Sequence, residues 1–374
     1  MSSRSYRPEI DGLRTIAVVP VILFHAGFGV FNGGFVGVDV FFVITSIISR
    51  ELDAGSFSIW RFYERRARRI LPALFFVLAV TTIAAYSIML PYELADYGRW
   101  LNAVVFFVSN IVFWRESGYF EAANELNPLL HTWSLSIEEQ FYILFPPFLW
   151  LIWRWRASAV LMVLGVIALG SLFLADLLST RMLGANFYLL PTRAWELLFG
   201  SLLAIYLSRK PRPGGIWAEI CSLSGLIAII FSLFFYSEAT PFPSIYTLLP
   251  VLGTVAVIFA SSPLTVSGKF LGWGPLVGVG MISYSAYLWH QPMFAFARLL
   301  APENHPSAVL MLGLSVLSLI FAWVSWRFIE APFRKKYQYT QRQIFISSAL
   351  GAAIFSGIGA VFFLLSGFLH HYSA

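Results

Sequence analysis

Apolar runs of about 17–25 residues recur along nearly the whole chain. They fall at 13–29, 35–51, 70–90, 132–152, 158–178, 191–207, 216–236, 246–262, 276–298, 308–327 and 344–368. Each is long enough to cross the hydrocarbon core of a bilayer. Backbone without water partners must close its hydrogen bonds inside the segment, so helix is the form each run takes. The expected fold is all-α, a polytopic transmembrane helix bundle of about eleven spans. A further segment, 94–114, carries Asp96, Arg99, Asn102 and Asn110 and is expected to be non-spanning or re-entrant. Of the 374 residues, 58% are hydrophobic and 12% charged, and mean hydropathy is +0.75. Soluble globular domains do not have such a composition.

Charge sets the expected orientation. With the N-terminus inside and 94–114 not crossing, the inner segments are 1–14, 50–69, 153–157, 208–215, 263–275 and 327–343, and they hold 20 of the 25 Lys and Arg. Crossing by 94–114 would move the later basic loops outside. The positive-inside rule thus accounts for the net charge of +6 without nucleic acid as a partner. The N-terminus is read as cytoplasmic and the C-terminus as outside. Residues 56–69 read as a basic amphipathic helix on the inner surface. No small-x-small cleavage site follows the first apolar core, so it is not read as a signal peptide. Cys221 is the only cysteine, which excludes an intramolecular disulfide and a Cys-based metal site. No P-loop, Gly-x-Gly-x-x-Gly or metal-ligand spacing is present, and His370 and His371 carry no argument.

Ionisable residues inside spans are costly, so each is a candidate for function. Arg14 and His25 lie eleven residues apart in the first apolar segment. Eleven residues turn a helix by roughly 1100°, about 20° from three full turns, so both side chains share one face about 16 Å apart. Counted along their spans, His25, Asp39, Glu138, Glu139, Arg193, Glu196 and His290 converge within roughly 10 Å of depth, in the outer half. Ser283 and Tyr287 share the His290 face at i−7 and i−3. Arg14, Arg65, Arg66, Arg68, Arg69 and Glu330 gather at the inner face. The pattern is a cationic inner mouth below an acid–base chamber. Adjacent residues diverge by about 100° on a helix, so Glu138 and Glu139 are not expected to point at one atom; one is expected to be catalytic and one structural. Asp39 is either a chamber residue or a helix N-terminal charge countering the dipole. Arg14 either binds a donor or pairs with Asp11 or Glu330.

Several stretches together carry a resemblance. They are Tyr6-Arg7-Pro8-Glu9-Ile10-Asp11-Gly12-Leu13-Arg14 with His25, and Gly33-Gly34-Phe35-Val36-Gly37-Val38-Asp39-Val40-Phe41-Phe42-Val43-Ile44. Next come Arg65-Arg66-Ala67-Arg68-Arg69-Ile70-Leu71-Pro72 and Pro128-Leu129-Leu130-His131-Thr132-Trp133-Ser134-Leu135, continuing to Glu138-Glu139-Gln140-Phe141-Tyr142. The last are Ser283-Tyr284-Ser285 to His290-Gln291-Pro292 and Phe328-Ile329-Glu330-Ala331-Pro332. The chain resembles membrane acyltransferase family 3, which O-acylates bacterial surface polysaccharides, peptidoglycan and some small molecules. One departure is Thr45-Ser46-Ile47-Ile48, where the family has Ser-Gly before an apolar pair; the lost Gly removes a point of close helix approach.

The resemblance implies a multi-pass protein of the bacterial inner (cytoplasmic) membrane. It implies acyl-coenzyme A, usually acetyl-CoA, as cytoplasmic donor, and a carbohydrate or lipid-linked glycan hydroxyl as acceptor on the outer side. Membrane lipid surrounds the bundle, and no metal is involved. Arg14 and His25 are the family's essential pair, and Arg65, Arg66, Arg68 and Arg69 hold its second important site, suited to the donor's phosphates. His25 is then a general base, with Glu138 or Glu139 holding its tautomer, or a transient acyl carrier. Asp39 joins the catalytic candidates, and Trp133, Arg193, Glu196, Ser283, Tyr287 and His290 are the substrate-side candidates. The expected organisation is an acyltransferase membrane domain over 1–330, a basic cytoplasmic loop over 331–343 and an additional outward-going helix over 344–369. Many members continue into an extracytoplasmic hydrolase-like domain, and the sequence's close at Leu-His-His-Tyr-Ser-Ala after that helix fits a longer parent protein or a terminal anchor. The competing reading is a transporter or flippase of an anionic or glycolipid solute, since buried acids and histidines also make proton relays. No inverted repeat or paired Gly/Pro-broken helices support it. A non-catalytic scaffold ranks last, because it leaves seven ionisable groups without a purpose.

Overall fold

The computed structural model describes residues 6–45, 58–116, 125–335 and 338–364, and the described residues are helical with no strand. Ser46, Ile47 and Ile48 of the family departure, residues 56–57 of the basic segment and residues 365–369 of the last expected span lie outside the described residues. Among the described residues, five helices are long and apolar enough to cross a membrane: Ile59–Ile88, Ser158–Leu178, Gly215–Phe235, Ala308–Arg334 and Gln341–Leu364. Gly34–Ile44 and Ile245–Ala260 are shorter apolar helices. The chain is a multi-pass, all-α membrane protein. It divides into two compact units, Met1–Ser56 with Phe141–Ser283, and Phe57–Gln140 with Tyr284–Ala374.

In the first unit, α1 spans Pro8–His25. Pro8 starts it where a missing N–H costs nothing, and Glu9 and Asp11 face the positive helix start. Two 3₁₀ turns, Gly29–Phe31 and Gly34–Val36, lead into α2, Gly37–Thr45. Neighbouring backbone is pressed against α1. A Cβ on Gly34 would collide with the Pro20 carbonyl oxygen, and one on Gly37 with that of Ala17. The short helices α12 (Val266–Leu271) and α13 (Gly274–Met281) approach as closely, Leu271 at Gly12 and Gly280 at the Asp11 carbonyl. Only glycine permits such spacing between helices. The unit is completed by the later part of α6 (Thr132–Ile152), then α7 (Ala157–Leu178), α8 (Leu183–Tyr188), α9 (Leu190–Arg209), α10 (Gly215–Phe235) and α11 (Leu248–Ala260).

The second unit is built on α3, Ile59–Ile88, a single 30-residue helix whose start is capped by the Ser58 hydroxyl. The basic segment, read as a helix, is helical from Ile59 and runs without a break into the next apolar run, both within α3. Nothing in Tyr63 to Leu71 breaks the helix, and Pro72 is accommodated within it. Segment 94–114 is two helices, α4 (Pro91–Val105) and α5 (Ser109–Glu116), separated at Phe107, whose φ is +53°. The expected single span 276–298 is divided at Ile282, where the backbone leaves the helical region, and α14 begins at Ser283 and runs to Leu300. Then α15 (Ala308–Ser325) passes through a π-helical turn, Trp326–Glu330, into α16 (Ala331–Arg334). The last helix, α17 (Gln341–Leu364), lies on α4. There the Ser356 hydroxyl donates to Asn102 Oδ1 at 2.7 Å, and Gly98 meets the Gly359 carbonyl.

Candidate active site

His25 is the last residue of α1, and the helix stops there for a local reason. Gly27 adopts φ +83°, the Phe28 N–H donates to the Leu23 carbonyl at 3.1 Å, and the Gly27 N–H donates to the Phe24 carbonyl at 2.9 Å. This is a Schellman cap. Hydropathy predicts helix to residue 29, because it does not register the left-handed turn at Gly27. His25 is half-buried, with its ring 5.2 Å from Phe24, which packs edge-on against Phe35. At the other end of the helix, Arg14 Nη1 donates to Asp11 Oδ1 at 2.6 Å, and the Tyr6 hydroxyl donates to Asp11 Oδ2 at 2.7 Å. Of the alternatives open for Arg14, the structure provides the Asp11 pair. Burial and then the Asp11 carboxylate push the Tyr6 phenol up to about 12, so Tyr6 remains a donor at neutral pH.

Asp39, Arg193 and Glu196 form one buried ion triad in the first unit. Arg193 Nη1 donates to Asp39 Oδ1 at 2.7 Å and to Glu196 Oε1 at 3.1 Å, while its Nε donates to the Phe187 carbonyl. The guanidinium also lies over the Phe187 and Phe242 rings, 4.8 and 5.2 Å from their centroids. Sequence position alone puts Asp39 among the catalytic candidates and Arg193 and Glu196 at the substrate. In the structure their side chains are at most 1% exposed, and the ion pairs join α2 to α9.

In the second unit, Arg66 Nη2 donates to Glu138 Oε1 at 2.9 Å and to Glu139 Oε1 at 2.5 Å. Two expectations change here. The adjacent glutamates do meet at one atom, because their flexible side chains converge on a guanidinium lying between them. The glutamates also belong with the arginines rather than in a chamber apart from them. Depth counted from residue 70 misses this, because α3 begins at Ile59 and carries Arg66 two turns inside the helix. Arg68, expected at the donor, is 4% exposed and fully engaged. Its Nε donates to Glu64, Nη1 to the Phe333 carbonyl and Nη2 to the Tyr339 carbonyl at 2.6 Å. Arg65 and Arg69 are half-exposed. Glu330 accepts from the Ser285 hydroxyl and from Arg334.

About two turns earlier on α6 and its approach, a second cluster forms. The Tyr287 hydroxyl donates to the His131 carbonyl at 2.8 Å and lies 2.7 Å from the Ser134 hydroxyl. The His290 ring is 5.5 Å from that of His131, and its Nδ1 is 2.6 Å from the Tyr287 carbonyl oxygen. Trp133, Ser283 and His290 are buried. His131 is not among the sequence candidates. It falls one residue before the apolar run 132–152, where a depth count does not reach, although its i+3 partner Ser134 is a signal. Among the described residues no three His, Cys, Asp or Glu side chains gather to hold a metal.

A family model described as an acyltransferase domain matches residues 7–327. The chain is similar to the peptidoglycan O-acetyltransferase OatA of Listeria monocytogenes, with 34% identity over 89% of this chain and 56% of that protein. It is similar also to the O-acetyltransferase OatA of Staphylococcus aureus, with 31% identity over 90% of this chain and 58% of that protein. The chain thus spans a little over half the length of the curated relatives it matches. No solved structure matches it.

Proposed function

The chain belongs to membrane acyltransferase family 3, and from that premise we propose that it is an O-acetyltransferase of a cell-wall glycan, working in the bacterial cytoplasmic membrane with its N-terminus inside. The donor is acetyl-CoA and the acceptor a sugar hydroxyl on the outer side. The names of the relatives favour peptidoglycan over other envelope glycans.

The observation that carries the reading is the placement of His25 on a capped helix end, on the same α1 whose start holds Arg14 through Asp11. An imidazole fixed by a rigid helix and its cap is positioned for acid–base work. His25 takes the proton of the acceptor hydroxyl as its oxygen attacks the thioester carbonyl. The carbon–sulfur bond then breaks, and the departing thiolate of coenzyme A takes up a proton. Arg65 and Arg69, half-exposed on α3, suit the donor's phosphates. Arg66, with Glu138 and Glu139, orders the helices beside them.

The test is acetyl transfer from labelled acetyl-CoA to a peptidoglycan fragment in membranes holding the chain. His25→Ala is expected to lower turnover about 10²–10⁴-fold at unchanged protein level; normal turnover overturns the reading. A labelled acyl-enzyme that accumulates without acceptor and disappears in His25→Ala assigns His25 as carrier instead of base.

A further inference from the structure

A half-open cavity of about 310 Å³ lies inside the second unit. Its walls come from Ala67, Leu71 and Phe75 on one stripe of α3, from Ile329 of the π-helical turn, from Phe333 of α16, and from Ile344 of α17. Ser347 and Ser348 complete the wall, but their hydroxyls donate to the Ile344 carbonyl at 3.0 and 2.7 Å. The wall therefore offers a guest hydrocarbon and little capacity for hydrogen bonding. Such a space gives water few partners and leaves its own lining short of dispersion contacts, so an apolar guest is what it accepts.

The two ends differ. Further along α17 the space is closed by Phe355 stacked on Phe75 at 5.5 Å, and by Gly351 pressed against the same ring. Toward the start of α17, Arg68 fixes the carbonyls of Phe333 and Tyr339, whose rings stack at 4.7 Å. Next to these in the chain stand Arg334, Lys335 and Arg342, all exposed. The N–H groups of the first turn of α17 add positive potential on that side. Hydrocarbon walls with cations at one end have the charge and polarity pattern of an anionic amphiphile.

We propose that this cavity holds one acyl chain of an anionic phospholipid, with the headgroup phosphate against Lys335, Arg334 and Arg342. The arm of coenzyme A is a poorer occupant, because its amides would be buried without partners along this wall. One wall belongs to α17, which lies beyond the region matched by the family model. The lipid would fill the space between α3 and that helix.

Phosphatidylglycerol and phosphatidylcholine retained by the purified protein after detergent exchange, counted by native mass spectrometry, test the proposal. The expected result is about one phosphatidylglycerol per chain, retained at least tenfold better than phosphatidylcholine. Ser348→Leu and Ala67→Phe, which fill the cavity, each cut that retention at least tenfold. The surface pair Lys335→Glu with Arg342→Glu removes the preference without touching the wall, and decides the question if a filled variant fails to fold. Equal retention of the two lipids, retention untouched in the filled variants or in the charge-reversed pair, or displacement by acetyl-CoA overturns the proposal.

Discussion

Arg193 and Asp39 are joined by a 2.7 Å ion pair in which each side chain is 1% exposed. Glu196 shares the same guanidinium nitrogen at 3.1 Å. Replacing the arginine leaves two buried carboxylates without a counterion, and breaking a buried pair in this way costs about 3–5 kcal/mol. Arg193→Leu is expected to lower the thermal midpoint of the detergent-solubilised protein sharply. Asp39→Asn, which keeps an acceptor for Arg193, is expected to lose less. An unchanged midpoint in Arg193→Leu would remove the triad as a brace.

Gly27 offers a cleaner test of the His25 position. Nothing lies within 4 Å of a Cβ built there, so only its φ of +83° opposes a side chain. Gly27→Ala is expected to cost about 1–2 kcal/mol, with turnover reduced more than stability because the cap sets where His25 stands. Gly27→Asn, which tolerates the left-handed region, is expected to restore most of the turnover. Equal turnover in all three proteins would separate the cap from the chemistry.

The arginines of α3 are expected to divide by role. Arg66→Ala and Arg68→Ala take a donor from partly buried acceptors and are expected to reduce folded protein, with donor KM little changed in what remains. Arg65→Ala and Arg69→Ala are expected to raise donor KM several-fold at normal folded yield. Steady-state kinetics against acetyl-CoA, normalised to folded protein, distinguishes the two pairs. A reversed pattern would move the donor contact to Arg66 or Arg68.

Gly98 and Gly357 form a matched comparison for the docking of α17. A Cβ on Gly98 would lie 2.5 Å from the Gly359 carbonyl oxygen, whereas one on Gly357 meets nothing within 4 Å. Gly98→Val is expected to cost about 1–3 kcal/mol through overpacking and to speed proteolysis of the last helix. Gly357→Ala is expected to leave both unchanged. Equal proteolysis rates would show that α17 stays on α4 without this contact.

Much of the fold is legible in hydropathy. The runs 132–152 and 158–178 coincide, to within a residue, with helices Thr132–Ile152 and Ala157–Leu178. Single-residue backbone events are not legible in this way: Ile282 splits an unbroken apolar run, and Gly27 ends α1 at the residue of greatest interest. In the candidate site, residue type and spacing find Arg14, His25 and the glutamate pair. Depth counting separates Arg66 from Glu138 and Glu139, because it takes the apolar edge at residue 70 for the helix start. Whether a polar side chain is satisfied by its neighbours, as Arg68 is, depends on contacts between distant segments that periodicity does not encode.

The pressing of Leu271 against Gly12 also has a temporal side. Synthesis at about 5–20 residues per second puts roughly 13–50 s between the emergence of α1 and that of the backbone that fills its glycine notch. Throughout that interval the nascent helix carries Asp11, Arg14 and His25 without α12 or α13 beside it. A ribosome stalled between residues 150 and 260 would therefore leave the first helix without the backbone that fills its glycine notch.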